Sequence, residues 1–317
     1  MSHLGRIALA ASIVSLGLPA AAQTYPTQPI IVINPNSAGG GTDVGIRTWQ
    51  PFVEECLSGT LVPNAHPGGS GAIGNTVLAT SDADGYTVGS ANMPNLISNW
   101  LALPDLPAAE DLEYLGSIVG VRSTINVLRN SEYQTIEQAL EFIKHSDGPV
   151  NIAMGGIGAD DHLVGLQIEA ALGVDINFIP FGSGNDSRNA LLGGQVDFAM
   201  MSNTESAGFG DDVRALAIAA DNRSDLLPDT PTLGEMGFPI VGGSDHVMAI
   251  PAGSPQEAVE AWQRCLAEAA ANPEFLAVAT ERSLSLNIMS AEEAEAFVYE
   301  QREILQALWD EQPWIEQ

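Results

Sequence analysis

Three ionisable side chains stand in a row at Asp160, Asp161 and His162, the most concentrated set of reactive groups in the sequence. A histidine positioned beside carboxylates is the natural proton carrier of an exported hydrolase or lyase. Consecutive side chains diverge unless the backbone wraps around an ion, and no second cluster at metal-site spacing accompanies them. We therefore predict no metal site. We interpret the aspartates as first-turn residues of a helix, one of them capping exposed N–H groups, and keep catalysis as the alternative.

Four glycine-rich turns each follow a predicted strand and precede a predicted helix. They lie at 35–43, 66–71, 155–162 and 181–186. A strand, a turn and a helix in this order present backbone N–H groups at a helix N-terminus, where anions bind. Taken singly, each turn also has a simpler interpretation as a tight connection. None of them fits a Walker loop, a dinucleotide fingerprint or a Gly-x-Ser-x-Gly nucleophile elbow, so no cofactor is predicted.

Apolar runs predict the elements that position these turns. Short β-branched runs predict strands at 29–34, 60–63, 86–90, 150–153, 177–180, 196–200 and 215–219. Helical periodicity separates them, and the tail from Pro255 is mainly helical, with Pro273 opening a new helix. This order predicts an α/β fold with a mostly parallel sheet, and ligand capture where strands end and helices begin. The large apolar side chains that we interpret as core are Trp49, Phe52, Met200 and Met201.

The charge balance excludes two classes of partner. The chain of 317 residues carries 11 Lys and Arg against 40 Asp and Glu, a formal net charge of -29. A nucleic-acid binder needs a basic face, and so does a protein that binds an anionic membrane surface. Hydrophobic residues at 45% and charged residues at 16% are typical of a chain that buries a core, and the length favours two domains.

The first 22 residues have the pattern of a secretory signal peptide. Arg6 precedes an apolar run from Ile7 to Leu18, and three alanines end at Ala22, after which we expect cleavage. The alternative is a membrane anchor, but a run of about 12 residues is too short to cross a hydrocarbon core of about 30 Å. The sequence therefore predicts export.

The chain contains two cysteines, Cys56 and Cys265. In an exported protein such a pair is more often bridged than free, because the compartment is oxidising. The two residues lie on separate helical patterns. Two buried free thiols are the alternative to a disulfide.

Taken in order, the loops resemble the substrate-binding receptors of tripartite tricarboxylate transporters, the Bug-type receptors of the periplasmic binding protein superfamily. The resemblance covers almost all of the chain after residue 22. The segments that carry it are 25–30, 35–47, 67–74, 83–87, 156–163, 191–197, 227–232 and 251–255. Segments 191–197 (LLGGQVD), 227–232 (LPDTPT) and 251–255 (PAGSP) are specific together, since no generic α/β enzyme requires them in that order.

The resemblance implies a fold and a function. The fold would be α/β and periplasmic binding protein-like, with two α/β lobes around a ligand cleft and chain crossovers near residues 125 and 245. Lobe 1 would comprise 23–124 and 246–317, and lobe 2 would comprise 125–245. Both cysteines would then lie in lobe 1, which strengthens the disulfide prediction. The implied function is that of a monomeric periplasmic receptor, not an enzyme, that closes on a small organic carboxylate and docks to transporter membrane subunits.

The resemblance also implies the ligand-binding residues, without a cofactor or a metal. The first loop would contribute Ser37, Ala38, Gly39, Gly40, Thr42 and Asp43. The two loops of the second lobe would contribute Gly156, Gly158, Ala159, Asp160, Phe181, Gly182, Ser183 and Gly184.

Several positions depart from the family pattern and widen the expected ligand class. Ala159 and Asp160 replace common Ser or Thr hydroxyls, Phe181 a common Tyr, Gly182 a common Lys and His66 a frequent Arg. A monocarboxylate, a dicarboxylate, an aromatic acid or an amino acid whose ammonium meets Asp160 are the ligands that remain. Arg188 has two interpretations, a partner of ligand charge or a surface ion pair.

Overall fold

A computed structural model describes residues 25–311 and 313–315. The predicted signal peptide at 1–22 lies outside the described residues. Within them, the strands form two sheets that organise two lobes. Over these same residues, no helix combines the length and the apolar character needed to cross a membrane.

The first lobe is built on a six-stranded sheet with the order β11-β4-β10-β3-β1-β2. Its strands are β1 Ile30–Asn34, β2 Leu61–Ala65, β3 Thr87–Met93, β4 Leu112–Gly120, β10 Asp245–Pro251 and β11 Leu286–Met289. Strand β1 pairs in parallel with β2 and β3, with Ile30 opposite Leu61 and Ile31 opposite Thr87. Strand β10 is antiparallel to both of its neighbours, β3 and β4.

The second lobe is built on a five-stranded sheet with the order β7-β6-β8-β5-β9. Its strands are β5 Ser123–Leu128, β6 Val150–Met154, β7 Ile176–Pro180, β8 Phe198–Ser202 and β9 Val213–Ile218. Strand β6 is parallel to β7 and β8, whereas β5 is antiparallel to β8 and β9. The prediction of a mostly parallel sheet is therefore wrong. A strand that arrives from the other lobe, β5 or β10, enters each sheet in the opposite direction, and in the first sheet β11 is also antiparallel to β4.

Helices cover the sheets and begin where the parallel strands end. They are α1 Gly41–Leu57, α2 Ala72–Ala79, α3 Asn95–Ala102, α4 Ile136–His145, α5 Asp160–Leu172, α6 Gly184–Leu192, α7 Asn203–Gly208, α8 Gln256–Ala271, α9 Pro273–Glu281 and α10 Ala291–Glu311. Pro273 opens α9 as predicted, and the Asn272 side chain accepts hydrogen bonds from the first-turn N–H groups.

Two segments carry the chain between the lobes, one after β4 and one before β10. They lie side by side: Val121 N–H donates to Ser244 O at 2.8 Å, and Ser244 N–H donates back to Val121 O at 3.0 Å. A Cβ at Gly243 would lie 2.1 Å from the Val121 carbonyl oxygen, so only glycine allows this approach. The paired segments form the connection about which the lobes can move.

One part of the core of the first lobe lies between its sheet and helices α1, α8 and α9, and another lies on the opposite face of the sheet, against α2, α3 and α10. Trp49 of α1 packs edge-on against Trp262 of α8 with ring centroids 6.4 Å apart. Cys56 of α1 and Cys265 of α8 form a disulfide across this contact, with Cα atoms 5.5 Å apart. The predicted bridge is therefore confirmed, and it ties the beginning of the first lobe to a segment 209 residues later.

Candidate functional site

A cavity of about 110 Å³ lies between the lobes, at the edge where parallel strands end and helices begin. This is smaller than a cavity of about 150 Å³ that holds one benzene molecule. The cavity therefore suits a molecule of only a few non-hydrogen atoms. Its walls come from the starts of α1, α5, α6 and α7 and from strands β3, β8 and β10.

The first-lobe wall is formed by the start of α1. The N-cap residue, Gly40, has no side chain to accept from the first turn, so the N–H groups of Gly41 and Thr42 keep no intrahelical partner. Gly40, Gly41 and Thr42 all line the cavity. Oriented N–H donors and the positive end of the helix dipole favour an anion at this position.

The Thr42 hydroxyl is fixed as a hydrogen-bond donor by its neighbours. Its oxygen accepts from Asn36 Nδ2 and from Asn92 Nδ2, both at 2.9 Å. Asn92 is itself held by Ser90, whose hydroxyl donates to Asn92 Oδ1 at 2.5 Å. Because a hydroxyl oxygen has two lone pairs, both are used, and the remaining O–H can only donate. Thr42 lines the cavity, so its hydroxyl brings a hydrogen-bond donor to the cavity wall.

The facing wall belongs to the second lobe and includes the start of α6. Ser183 is the N-cap residue, and its hydroxyl oxygen accepts from Asp186 N–H at 3.3 Å. The N–H of Gly184 precedes the capped position and belongs to the unpaired first turn. A Cβ at Gly40 would lie 3.9 Å from the Ser183 Cβ, so the starts of α1 and α6 face each other across the cleft.

Asp160 opens α5 and places a carboxylate in the cavity. The N-cap residue of α5 is Ala159, which has no side-chain acceptor. Asp160 and Asp161, one of which was predicted to be the cap, instead lie in the first turn of the helix. Ser123 Oγ donates to Asp160 Oδ2 at 3.3 Å. Burial raises the pKa of Asp160 to about 6; backbone and Ser123 hydrogen bonds oppose this rise, and the Glu205 carboxylate adds to it.

Glu205, in the first turn of α7, supplies a second carboxylate to the cavity. Its Oε2 accepts from Ser202 N–H at 3.1 Å and from Ser202 Oγ at 2.8 Å, completing a capping box. Among the described residues, Oε1 receives no hydrogen bond. A Cβ at Gly184 would lie 2.5 Å from Oε1, which explains glycine at this position and places Oε1 beside the start of α6.

Two further polar side chains line the cavity and lack partners. Asn95 is 8% exposed, and its Nδ2 donates to Ser70 O at 3.1 Å, while its Oδ1 has no partner in the described part of the chain. His246 is 7% exposed, and no hydrogen bond reaches its ring nitrogens from residues 25–311 or 313–315. Burial lowers the pKa of His246 to about 4, so its ring is neutral at pH 7.

Direct hydrogen bonds join the lobes across the cleft. Ser70 Oγ donates to Ile157 O at 2.8 Å, and Ser98 Oγ donates to Gly158 O at 2.6 Å. Asn185 Nδ2 donates to Gly39 O at 3.4 Å on the other side of the cavity. The structure therefore represents the closed arrangement of the lobes.

The structure brings half of the predicted ligand-binding residues to the cavity and leaves the others nearby. Those that line it are Gly40, Thr42, Ala159, Asp160, Gly182, Ser183 and Gly184. Gly156 and Phe181 line an adjacent groove on the surface, and Gly158 contacts Ser98 through its carbonyl. The remaining residues of the first loop are Ser37, half-buried, Ala38 and Gly39, exposed, and Asp43, buried.

The polar groups that line the cavity are mainly uncharged hydrogen-bond donors and the carboxylates of acidic side chains. In the described structure no Lys or Arg lines the cavity. Arg47 is engaged by Asp43 at 2.8 Å. Arg188 Nε donates to Asp212 Oδ2 at 2.8 Å, so the surface ion-pair interpretation of Arg188 is confirmed.

The Asp160, Asp161 and His162 row does not form a catalytic constellation. Asp161 Oδ2 accepts from Gly155 N–H at 2.5 Å, and Oδ1 accepts from the following N–H at 2.9 Å. His162 Nδ1 accepts from Gly158 N–H at 3.0 Å, and its ring packs edge-on against Phe178 at 5.3 Å, outside the cavity lining. Burial lowers the pKa of His162 to about 4. These contacts hold a loop and a helix together.

Sequence reasoning missed much of the cavity wall. The missed residues include Asn36, Ser70, Asn92, Asn95, Ser202, Glu205 and His246. Met200 and Met201, interpreted as core, are buried and also line the cavity. The Ser202-x-x-Glu205 spacing is a capping-box signal that marks one more strand-to-helix transition, but it contains no glycine.

Comparison with known proteins now identifies the family. The family model described as tripartite tricarboxylate transporter family receptor matches residues 45–312. The chain belongs to this receptor family. Protein BugT of Bordetella pertussis is 30% identical over 230 residues, which cover 71% of this chain and 70% of BugT.

Solved structures of this receptor family and its fold superpose closely. The periplasmic binding protein BugD has a TM-score of 0.84 and 28% identity, with 90% of this chain and 98% of BugD covered. MatC from Rhodopseudomonas palustris, solved with bound malate, has a TM-score of 0.82 and 20% identity over 89% of this chain and 99% of MatC. The two-lobed α/β architecture is thus that of the periplasmic binding proteins.

Proposed function

We propose that this receptor is a periplasmic protein that captures a small organic carboxylate between its lobes and delivers it to the membrane subunits of a tripartite transporter. The observation that carries the proposal is the donor wall of the cavity. At this wall, the unpaired N–H groups of the uncapped first turn of α1 lie beside the Thr42 hydroxyl, whose oxygen already accepts two hydrogen bonds. A carboxylate accepts from such donors without needing a basic side chain.

The cavity size favours a small acid over an aromatic one. A volume of about 110 Å³ matches a carboxylic acid of a few carbons, whereas an aromatic acid would require the lobes to open. The malate bound in MatC, which shares the fold, is an aliphatic acid and not an aromatic one. The N–H donors at the start of α1 attract an anion locally, although the formal net charge of -29 repels it at long range.

We further propose that the protein acts as a monomer and has no catalytic role. Its family is one of receptors. Of the three reactive side chains that sequence analysis singled out, Asp160 and Asp161 line the cavity, but His162 lies outside its lining and accepts from Gly158 N–H. The hydrogen bonds between the lobes support a cycle of capture by closure and release by opening.

A thermal-shift screen of the mature protein tests the carboxylate proposal. The panel contains mono-, di- and tricarboxylates, amino acids and aromatic acids, followed by titration calorimetry of each compound that stabilises the protein. We expect stabilisation that grows with ligand concentration over the dissociation constant, with the compound recovered unchanged. If no carboxylate of any class stabilised the protein, the proposed function would be wrong. Consumption of a stabilising compound would show an enzyme instead.

A further inference from the structure

One wall of the cavity consists of acceptors, opposite in character to the start of α1. Asp160 and Glu205 line the cavity from the starts of α5 and α7, which follow different strands of the second lobe. Asn95 lines it from the first lobe. Asp161 also lines the cavity, but its two carboxylate oxygens accept from the N–H groups of Gly155 and His162. A ligand that carried only carboxylates would meet the carboxylates of Asp160 and Glu205 here, with no Lys or Arg lining the cavity in the described structure.

The acceptor positions are open for a ligand. Asp160 accepts one side-chain hydrogen bond, from Ser123 at 3.3 Å, besides those from the backbone N–H groups of the first turn, and a carboxylate has about four acceptor sites in all. In the described structure, Glu205 Oε1 and Asn95 Oδ1 receive none, although both residues are held firmly through their other atoms by Ser202 and Ser70. A buried oxygen without a donor is unfavourable, so Asn95 Oδ1 is suited to a donor that arrives with the ligand, and the half-buried Glu205 Oε1 can accept from the same ligand.

From these contacts we infer that the ligand is a zwitterion, a small amino acid whose carboxylate binds at the start of α1 and whose ammonium group binds at Asp160 and Glu205. This inference rests on the proposed function, since it assigns the substrate class of the same cavity. An ammonium group has three N–H donors and one positive charge. Oxygen atoms of Asp160, Glu205 and Asn95 line the same cavity and can accept these donors, and the positive charge offsets one of the two carboxylates.

A protonated Asp160 would also let a ligand carboxylate bind beside the acidic wall, and it predicts the opposite pH dependence of the affinity. Asp160 could hold a proton and donate it to a ligand carboxylate. Burial raises its pKa to about 6, so protonation becomes appreciable in mildly acidic buffer. In that case a simple acid would bind more tightly as the pH falls. A zwitterion needs an ionised Asp160 and binds less tightly as the pH falls through about 6. The neighbouring Asp161 takes part in the same titration, because burial and the charge of Asp160 raise its pKa as well.

Titration calorimetry with matched ligand pairs separates these cases. Each pair consists of an amino acid and its deaminated counterpart with the same carbon skeleton, measured at pH 7.5 and at pH 5.5. We expect the preferred amino acid to bind at least about tenfold more tightly than its counterpart, because the ammonium makes charge-assisted hydrogen bonds. Its affinity is expected to fall between pH 7.5 and pH 5.5.

Two conservative variants test whether Asp160 and Glu205 cause the preference for the amino acid over its deaminated counterpart. Asp160→Asn and Glu205→Gln remove one charge each, and Gln retains the capping-box geometry of α7. Each variant is expected to weaken binding of the amino acid at least about fivefold and to change the affinity for the deaminated counterpart by less than about twofold. Glu274→Gln, an exposed change in the first turn of α9, is the matched control and is expected to change neither affinity.

The outcomes distinguish this inference from the proposed function. Equal or tighter binding of the deaminated acids would overturn the zwitterion and leave the carboxylate receptor intact, as would a preference that survives both charge-removing variants. Absence of binding by either member of every pair would overturn both proposals. Circular dichroism and melting curves of each variant establish that it is folded before its affinity is interpreted.

Discussion

The Ser70 hydroxyl donates a hydrogen bond to the Ile157 carbonyl oxygen at 2.8 Å, and this contact joins a glycine loop of the first lobe to a glycine loop of the second. Ser70 Oγ would lie 2.3 Å from a Cβ at Gly156. Glycine at position 156 is therefore required by the closed arrangement and not by the local conformation of its own loop.

We expect Gly156→Ala to weaken ligand binding several-fold, because the added methyl group displaces the Ser70 hydroxyl and loses, in the closed state only, a hydrogen bond with a net contribution of about 0.5–1.5 kcal/mol. The free energy of unfolding without ligand should change little if the lobes can open. Titration calorimetry and urea unfolding measure the two quantities.

Gly148→Ala is the matched control, since a Cβ there meets no atom within 4 Å. The double variant Gly156→Ala with Ser70→Gly removes the side chain that the new methyl group meets and should recover part of the affinity. Unchanged affinity in Gly156→Ala would show that closure does not bring Gly156 against Ser70.

Thr42→Val is predicted to reduce carboxylate affinity about tenfold or more, because a hydrogen bond to a charged group contributes about 1.5–3 kcal/mol. Valine keeps the shape of the side chain but removes the donor aimed at the ligand, and it leaves Asn36 and Asn92 without their shared acceptor. Calorimetric titration with the strongest ligand from the screen measures the loss.

Thr76→Val on α2 removes a hydroxyl that bonds only to Ala72 O, so it serves as the control and should retain wild-type affinity. Equal affinities for the Thr42 variant and the wild type would exclude the Thr42 hydroxyl as a ligand donor.

Asp160→Asn is predicted to stabilise the unliganded protein at pH 7.5 by about 1–2 kcal/mol. The pKa of Asp160 lies at about 6 in the folded protein and at 3.8 in its reference state, so the folded state binds the proton more tightly. Ionisation of Asp160 therefore lowers stability above about pH 6, and this loss is relieved as the pH falls from 6 towards 4.

Urea unfolding of the wild type and of Asp160→Asn between pH 7.5 and pH 5 tests this sign. The difference between the two proteins should shrink as the pH falls. Using the difference cancels the buried histidines His162 and His246, whose lowered pKa values make the protein less stable as the pH falls below about 6.5. Asp161 does not cancel, because the charge of Asp160 raises its pKa, so the difference reports the two aspartates together. A difference that is constant with pH would contradict the raised pKa.

Removal of the Cys56–Cys265 disulfide should lower the free energy of unfolding by about 2–5 kcal/mol. The bridge closes a loop of 209 residues and clamps α1 to α8 in the core of the first lobe. Urea unfolding of Cys56→Ala with Cys265→Ala, compared with the oxidised wild type, gives the change. Alkylation without reductant should leave the mass of the mature wild-type protein unchanged, and uptake of two alkyl groups would contradict the bridge.

Local sequence patterns predicted the elements whose formation depends on a short segment of the chain. The apolar run before the first glycine loop became β1, the run before residue 155 became β6, and Pro273 opened a helix. Sequence analysis missed β10, although every residue from Asp245 to Pro251 is buried in the middle of the first sheet. This strand begins with an acidic residue, and Asp245 is accommodated only through Arg122 at 3.3 Å and Asn287 at 2.8 Å, both distant in sequence.

The sequence by itself determined the α/β class, the anion-binding character of the glycine loops, the pair of cysteines and the order of family motifs, because each depends on short segments. Only the tertiary structure decided which side chains share one cavity. Glu205 and His246 lie outside the glycine loops, and Thr42 becomes a committed donor only because Asn92, 50 residues away, fills its second lone pair. Hydrogen-bond character and burial are properties of a packed neighbourhood, so a receptor's ligand preference is set by contacts that no local pattern contains.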